Sequence, residues 1–306
     1  MSDAAPARAL SDEDLVRLLD LMAGADNVEL KLTIPESEHR ASMTALKLDP
    51  LDAHIRQVYF FDTPDLALDA AGVVVRARRV QNASGDTVVK LRPVVPDKIP
   101  DDVRRDAAFS IEVDAMPGGF VCSGSFKGTV DNQHVRDAAS GARRVRSLFS
   151  KNQRAFYRAN APDGPDLDDL VTLGPVNVLK LKYEPEPFAH RLAVELWFYP
   201  DGSRIVELST RCAPGQAFQV AAEARAFLST TGIGLASDQQ TKTRPPWTTS
   251  PAPVRADGGR AQPWAGSAYS SPADMARRTA SPRLEFPSRK ETRSSSLALG
   301  PVYLKI

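Results

Sequence analysis

Cysteine is scarce: the 306-residue chain has two, Cys122 and Cys212, far apart in sequence. A disulfide framework and a cysteine-bound zinc both need paired spacing, so the two are expected to be reduced core thiols. Histidine is nearly as rare, and His39, His54, His134 and His190 are scattered without ligand spacing. Any metal should therefore be held by oxygen. No run approaches the roughly 18 consecutive apolar residues of a membrane span. Met1 to Leu10 also lacks the charged start and apolar stretch of a signal peptide, so a cytoplasmic protein without a membrane partner is expected. An excess of one charge is missing too, since the formal net charge is +1. That sum hides a tail, residues 243–306, with ten Lys and Arg against four Asp and Glu, which makes the tail +6 and the remainder −5. A mildly acidic body has no basic face for nucleic acid.

What is present is enough apolar material for a sizeable core, 42% of the chain, arranged mostly in alternation. Ser11 to Met22 reads as a short capped helix with acidic residues in its first turn. Eight segments rich in β-branched residues or in alternation follow, near 27–34, 56–62, 73–80, 86–93, 109–115, 176–184, 191–199 and 204–212. Their spacing predicts a mainly β fold with flanking helices, an antiparallel sheet or barrel. A short helix is expected after Thr63-Pro64, ending at Gly72, and a longer one over 216–230. The stretch between Pro117 and Asp169 reads as helical or irregular, with a basic helix over Arg143 to Ser150, which divides the strands five and three. The expected organisation is an N-terminal extension over 1–25, a barrel domain over 26–232 and a disordered tail over 233–306 rich in Pro, Ser and Arg. Its Ser-Pro and Arg-Ser stretches suit phosphate or an acidic partner, although a plain solvated extension explains them as well.

Within the strands, ions recur at every second position and so share one face. Asn27, Glu29 and Lys31 alternate with Val28, Leu30 and Leu32. Arg76 and Arg78 pair in the same way, as do Lys90 and Arg92, Glu112 and Asp114, Lys180 and Lys182; Glu195 and the set Glu207, Ser209 and Arg211 follow. Such alternation ordinarily means a solvated face over an apolar core. Here the positive pairs fall on consecutive strands with few carboxylates between them, and a closed barrel can instead turn its ions into a wet lumen. Converging cations need an acidic ligand, and a polyphosphate offers charge and acceptors along its length. Carboxylates beside them become intelligible if they hold a hard divalent cation.

Asn27-Val-Glu-Leu-Lys-Leu32 resembles the first-strand E-x-E-x-K signature of the CYTH family of triphosphate tunnel metalloenzymes. Tyr59 to Gly72 is similar to the segment that follows it there, and Val73 to Arg79 to the family's R-x-R strand. The later K-x-R, E-x-D, K-x-K and E-x-S pairs keep the family's order, so the resemblance spans about residues 26–232. It implies an eight-stranded antiparallel tunnel binding triphosphate or polyphosphate compounds with Mg²⁺ or Mn²⁺, with metal-dependent hydrolysis of a triphosphate the expected reaction. By position, Glu29, Lys31 and Glu195 would be catalytic, and Glu29, Glu195 and Glu207 would hold metal. Lys31, Arg76, Arg78, Lys90, Arg92, Lys180 and Lys182 would bind phosphates, with Arg154 a weaker candidate. Glu112 and Asp114 would either join the metal or orient basic side chains, and Trp197 reads as a packed aromatic at the rim. Two departures stand out: Asn27 replaces the first Glu, and Ser209 stands where paired carboxylates are usual. The alternative reading is a module that binds polyphosphate or nucleotide and has lost part of its metal site.

Overall fold

Alternating strands with one apolar face must bury that face, and this chain does so by closing a sheet and laying helices against its outside. The computed structural model describes residues 12–233, apart from residues 118, 163 and 187. The strands are β1 Asn27–Ile34, β2 His54–Asp62, β3 Val73–Val80, β4 Gly85–Leu91, β5 Phe109–Met116, β6 Gly119–Val130, β7 Val171–Tyr183, β8 Leu192–Phe198 and β9 Arg204–Cys212. Among the described residues the helices are α1 Asp12–Ala23, α2 His39–Ala45, α3 Ala67–Ala70, α4 Asp101–Arg104, α5 Asn132–Ala139, α6 Lys151–Asn160 and α7 Ala217–Thr230. The strands close into a barrel in the order β1-β5-β6-β4-β3-β2-β7-β8-β9. The expected tail and the Ser11 cap lie outside the described residues.

The barrel has nine strands where the sequence predicts eight, and it is mixed rather than wholly antiparallel. The extra strand, β6, lies in the stretch expected to be helical or irregular. It carries glycine at 119, 124 and 128 and serine at 123 and 125, which erases the charged alternation that marks the other strands. These glycines have a packing use. A Cβ at Gly124 would lie 2.8 Å from the Phe109 ring, and one at Gly128 would lie 2.8 Å from Gln153 Oε1. Bare backbone thus lets Phe109, Phe126 and Phe156 cluster outside the sheet, with ring centroids 5.1 to 5.6 Å apart. The ninth strand also accounts for the parallel pair, because an odd ring cannot alternate direction throughout. The mismatch falls between β1 and β5, with Glu29 beside Asp114 and Asn27 beside Glu112.

The expected basic helix over Arg143 to Ser150 is a single 3-10 turn, Val145–Leu148. The helix proper, α6, begins after it, where Ser150 and Gln153 form a capping box. Gln153 is fully buried and its side chain ties α6 to the sheet: Nε2 donates to Thr87 O at 3.2 Å and Phe126 O at 3.3 Å.

The outward faces form the main core. On β3, Val73, Val75 and Ala77 are at most 2% exposed, while Arg76 and Arg78 alternate with them on the lumen side. One arc reverses this layering. Val58, Val176 and Val178 share a face with Arg56 and Lys180, are at most 1% exposed, and pack with Phe60, Trp197 and Tyr199. On the other face of the same strands Asn177 is exposed and Ile55 is 48% exposed. Along this arc, among the described residues, apolar side chains fill the lumen while the outer face is exposed.

Candidate functional site in the barrel lumen

Period-two alternation sends the charged residues inward, and register between neighbouring strands decides which of them meet. Two ionic groups result. In the first, Asp114 bridges two strands: Oδ1 lies 2.7 Å from Lys31 Nζ and Oδ2 lies 3.1 Å from Lys90 Nζ. Lys31 also reaches Glu29 at 3.0 Å, and Arg211 Nη2 lies 3.0 Å from Glu112 and 3.5 Å from Glu29. This group sets three carboxylates against three cations. In the second group Arg78 holds Asp86 through Nε at 2.7 Å and Nη2 at 2.6 Å, and Arg76 approaches the same carboxylate at 3.8 Å. Glu195 accepts from Lys180 at 2.7 Å and faces Arg56 at 3.8 Å. Four cations here meet Asp86 and Glu195, and with Glu207 beside Glu195 in register the cations still outnumber the carboxylates, so this arc carries a positive excess.

Burial and neighbours set the protonation of these groups. Burial would raise the Asp114 carboxyl, but Lys90 and Lys31 hold it well below the usual carboxylate range. Burial would lower the Lys31 ammonium, yet Asp114, Glu29 and Glu207 carry it above an ordinary lysine. Lys90 goes the other way, because burial outweighs the pull of Asp114. Burial and the adjacent Arg78 bring Arg76 down to about 10. Burial, then Glu29 and Asp114, raises Glu112; Glu29 is lowered against its own burial by Lys31 and Arg211.

The residues expected from the sequence are distributed unevenly. Glu29 and Lys31 sit in the first group, and Arg76, Arg78, Lys180 and Glu195 in the second. Lys90 joins the first through Asp114. Glu207 lies opposite Glu195 across β8 and β9, Ser209 opposite Lys31, and Lys182 opposite Ala193. Arg92 follows β4, and its nearest carboxylate is Asp69 of the α3 segment at 3.9 Å. Arg154 belongs to α6, donates to Phe149 O at 2.6 Å, and lines a separate cleft with Tyr157 and Asp166. Trp197 stacks on Tyr199 with ring centroids 6.4 Å apart. Arg56 and Asp86 were not singled out from the sequence. Only register shows that Asp86 lies beside Arg78.

Glu29, Glu112 and Asp114 each bring a carboxylate oxygen to within 4.8 Å of the other two. Asn27 lies beside Glu112 in register, and its buried Oδ1 accepts no hydrogen bond. Three carboxylates converging in this way, with an amide oxygen on the neighbouring register position, suit a hard divalent cation rather than a softer ion. The residues present thus fit such a cation.

No family profile matches the chain, and no curated protein matches it in sequence. Solved structures do. A proposed adenylyl cyclase from Hippeastrum that reveals a dominant triphosphatase activity is 20% identical, covering 70% of this chain and 91% of its own, with a TM-score of 0.50. A proposed adenylate cyclase from Bacillus halodurans is 15% identical over 71% of this chain and 95% of its own, with a TM-score of 0.49. The Hippeastrum likeness establishes a shared fold, the tunnel architecture of CYTH proteins that the strand motifs resemble.

Proposed function

We propose that the chain hydrolyses a triphosphate-containing compound in its lumen with a divalent cation, Mg²⁺ or Mn²⁺. The observation that carries this reading is the positive excess of Arg56, Arg76, Arg78 and Lys180 sharing one lumen with a convergent carboxylate group. A polyanion satisfies the first and a hard cation the second. The fold shared with a protein of dominant triphosphatase activity supports the same assignment.

In this reading Arg76 and Arg78 grip phosphate oxygens with planar, forked donors, and Asp86 keeps the Arg78 fork oriented. Lys180, Lys31 and Lys90 add point charges, with Lys182 and Arg92 serving the outer part of the chain. Glu29, Glu112 and Asp114, with the Asn27 carbonyl oxygen, form the cation-holding set. A cation held there supplies Lewis acidity and neutralises charge on the reacting phosphoryl group. Glu195 and Glu207, paired across β8 and β9, are assigned to orienting water rather than to the cation. The barrel over 26–232 is proposed to be the whole catalytic unit.

A second reading, a binding module without turnover, draws support from the first ionic group, whose three carboxylates already have three cations. Phosphate release from tripolyphosphate, ATP and thiamine triphosphate, with Mg²⁺, Mn²⁺ or chelator, separates the two. Metal-dependent release that Glu29→Gln abolishes, while tripolyphosphate still raises its melting temperature, is the expected result. Absence of release from every substrate, with the melting shift intact in wild type, would leave the binding module.

A further inference from the structure

Arg211 differs from the other two cations of the carboxylate group. The side chains of Lys31 and Lys90 are 21% and 19% exposed, whereas that of Arg211 is 56% exposed. Lys31 and Lys90 are both anchored on Asp114, which Arg211 does not touch. The Arg211 guanidinium enters from β9 opposite Glu29, and one nitrogen, Nη2, reaches both Glu112 Oε2 and Glu29 Oε2. Those are two of the carboxylates a divalent ion would need. A guanidinium and a dication compete for the same lone pairs and repel each other across a few ångströms of weakly screened space.

We propose that Arg211 is a built-in counter-cation of the Glu29 and Glu112 carboxylates, one that a divalent metal ion must displace in order to bind. The inference rests on the metal-dependent reading above and adds a residue to it. Lys31, which also lies 3.0 Å from Glu29 Oε2, and Lys90 keep their contacts with Asp114 when the ion enters. Arg211 withdraws along a stem that already lies half in solvent, at the cost of its two contacts. The protein therefore keeps a balanced carboxylate group without metal, and its metal affinity is lowered by its own side chain.

The test is direct Mn²⁺ binding, followed by the electron paramagnetic resonance signal of free Mn²⁺, with the full chain as wild type, Arg211→Gln and Arg211→Lys. Arg211→Gln is expected to bind Mn²⁺ at least about tenfold more tightly than wild type, a difference of about 1.4 kcal/mol. Arg211→Lys, which keeps the charge, is expected to stay close to wild type. Without metal, Arg211→Gln should melt below wild type and gain more from Mn²⁺. Equal or weaker Mn²⁺ binding by a folded Arg211→Gln overturns the competition while leaving the metal reading standing. Absence of Mn²⁺ binding in all three folded proteins removes the metal reading and the competition with it.

Discussion

Asp114 is the residue whose loss has the most calculable effect. Its side chain is 6% exposed and bridges Lys31 and Lys90 at 2.7 and 3.1 Å. Asp114→Asn keeps the shape and removes the charge, leaving two ammonium groups near each other in a poorly hydrated lumen. Removing one partner of a buried ion pair typically costs about 3–5 kcal/mol. In a domain of this size each kcal/mol moves the melting temperature by about 2–4 °C, so a drop of about 10 °C is expected. The pH dependence provides a second check. The folded Asp114 carboxyl lies below its unfolded value of about 3.9, so its contribution is fully present above about pH 4 and is lost as pH falls through the folded value. In the variant that acid limb disappears. Lys90, already lowered by burial, is lowered further without its carboxylate, so the unfolded state binds more protons and variant stability should rise with pH toward about 10. The measurement is thermal unfolding between about pH 2 and 10, with and without tripolyphosphate, which should stabilise the variant more than wild type. A melting change under about 2 °C, with no larger tripolyphosphate effect, would refute a central buried role for Asp114.

Two further substitutions probe the frame around the lumen. Gly72→Ala should destabilise strongly and disturb Arg92, because Gly72 has φ +74° and a Cβ there would lie 1.9 Å from the Arg92 carbonyl oxygen; unfolding by urea and the affinity for tripolyphosphate measure both effects, and an unchanged midpoint would contradict this. Gln153→Ala removes the capping partner of Ser150 and the two hydrogen bonds to the Thr87 and Phe126 carbonyls at a fully buried position, so a loss of about 2–3 kcal/mol is expected in the same unfolding measurement, without loss of metal affinity.

Much of the barrel was legible because strand alternation is a local property: a backbone of period two places Arg76 with Arg78 and Glu29 with Lys31 whatever surrounds them. β6 was not legible, since its glycines and serines serve contacts with Phe109 and Gln153 that lie elsewhere in the chain. Nor could alternation identify partners. The resemblance implies a metal set of Glu29, Glu195 and Glu207; the parallel pairing of β1 with β5 also places Glu112 and Asp114 beside Glu29. Likewise Arg56, Asp86 and the apolar lumen arc of Val58, Val176 and Val178 emerge only from register and from which outer faces the helices cover. The sequence by itself determined which side chains share a strand face, because that follows from neighbouring dihedrals. Tertiary structure alone decided which faces look inward and which charges meet, because closing an odd ring of strands sets contacts between residues that no local rule connects.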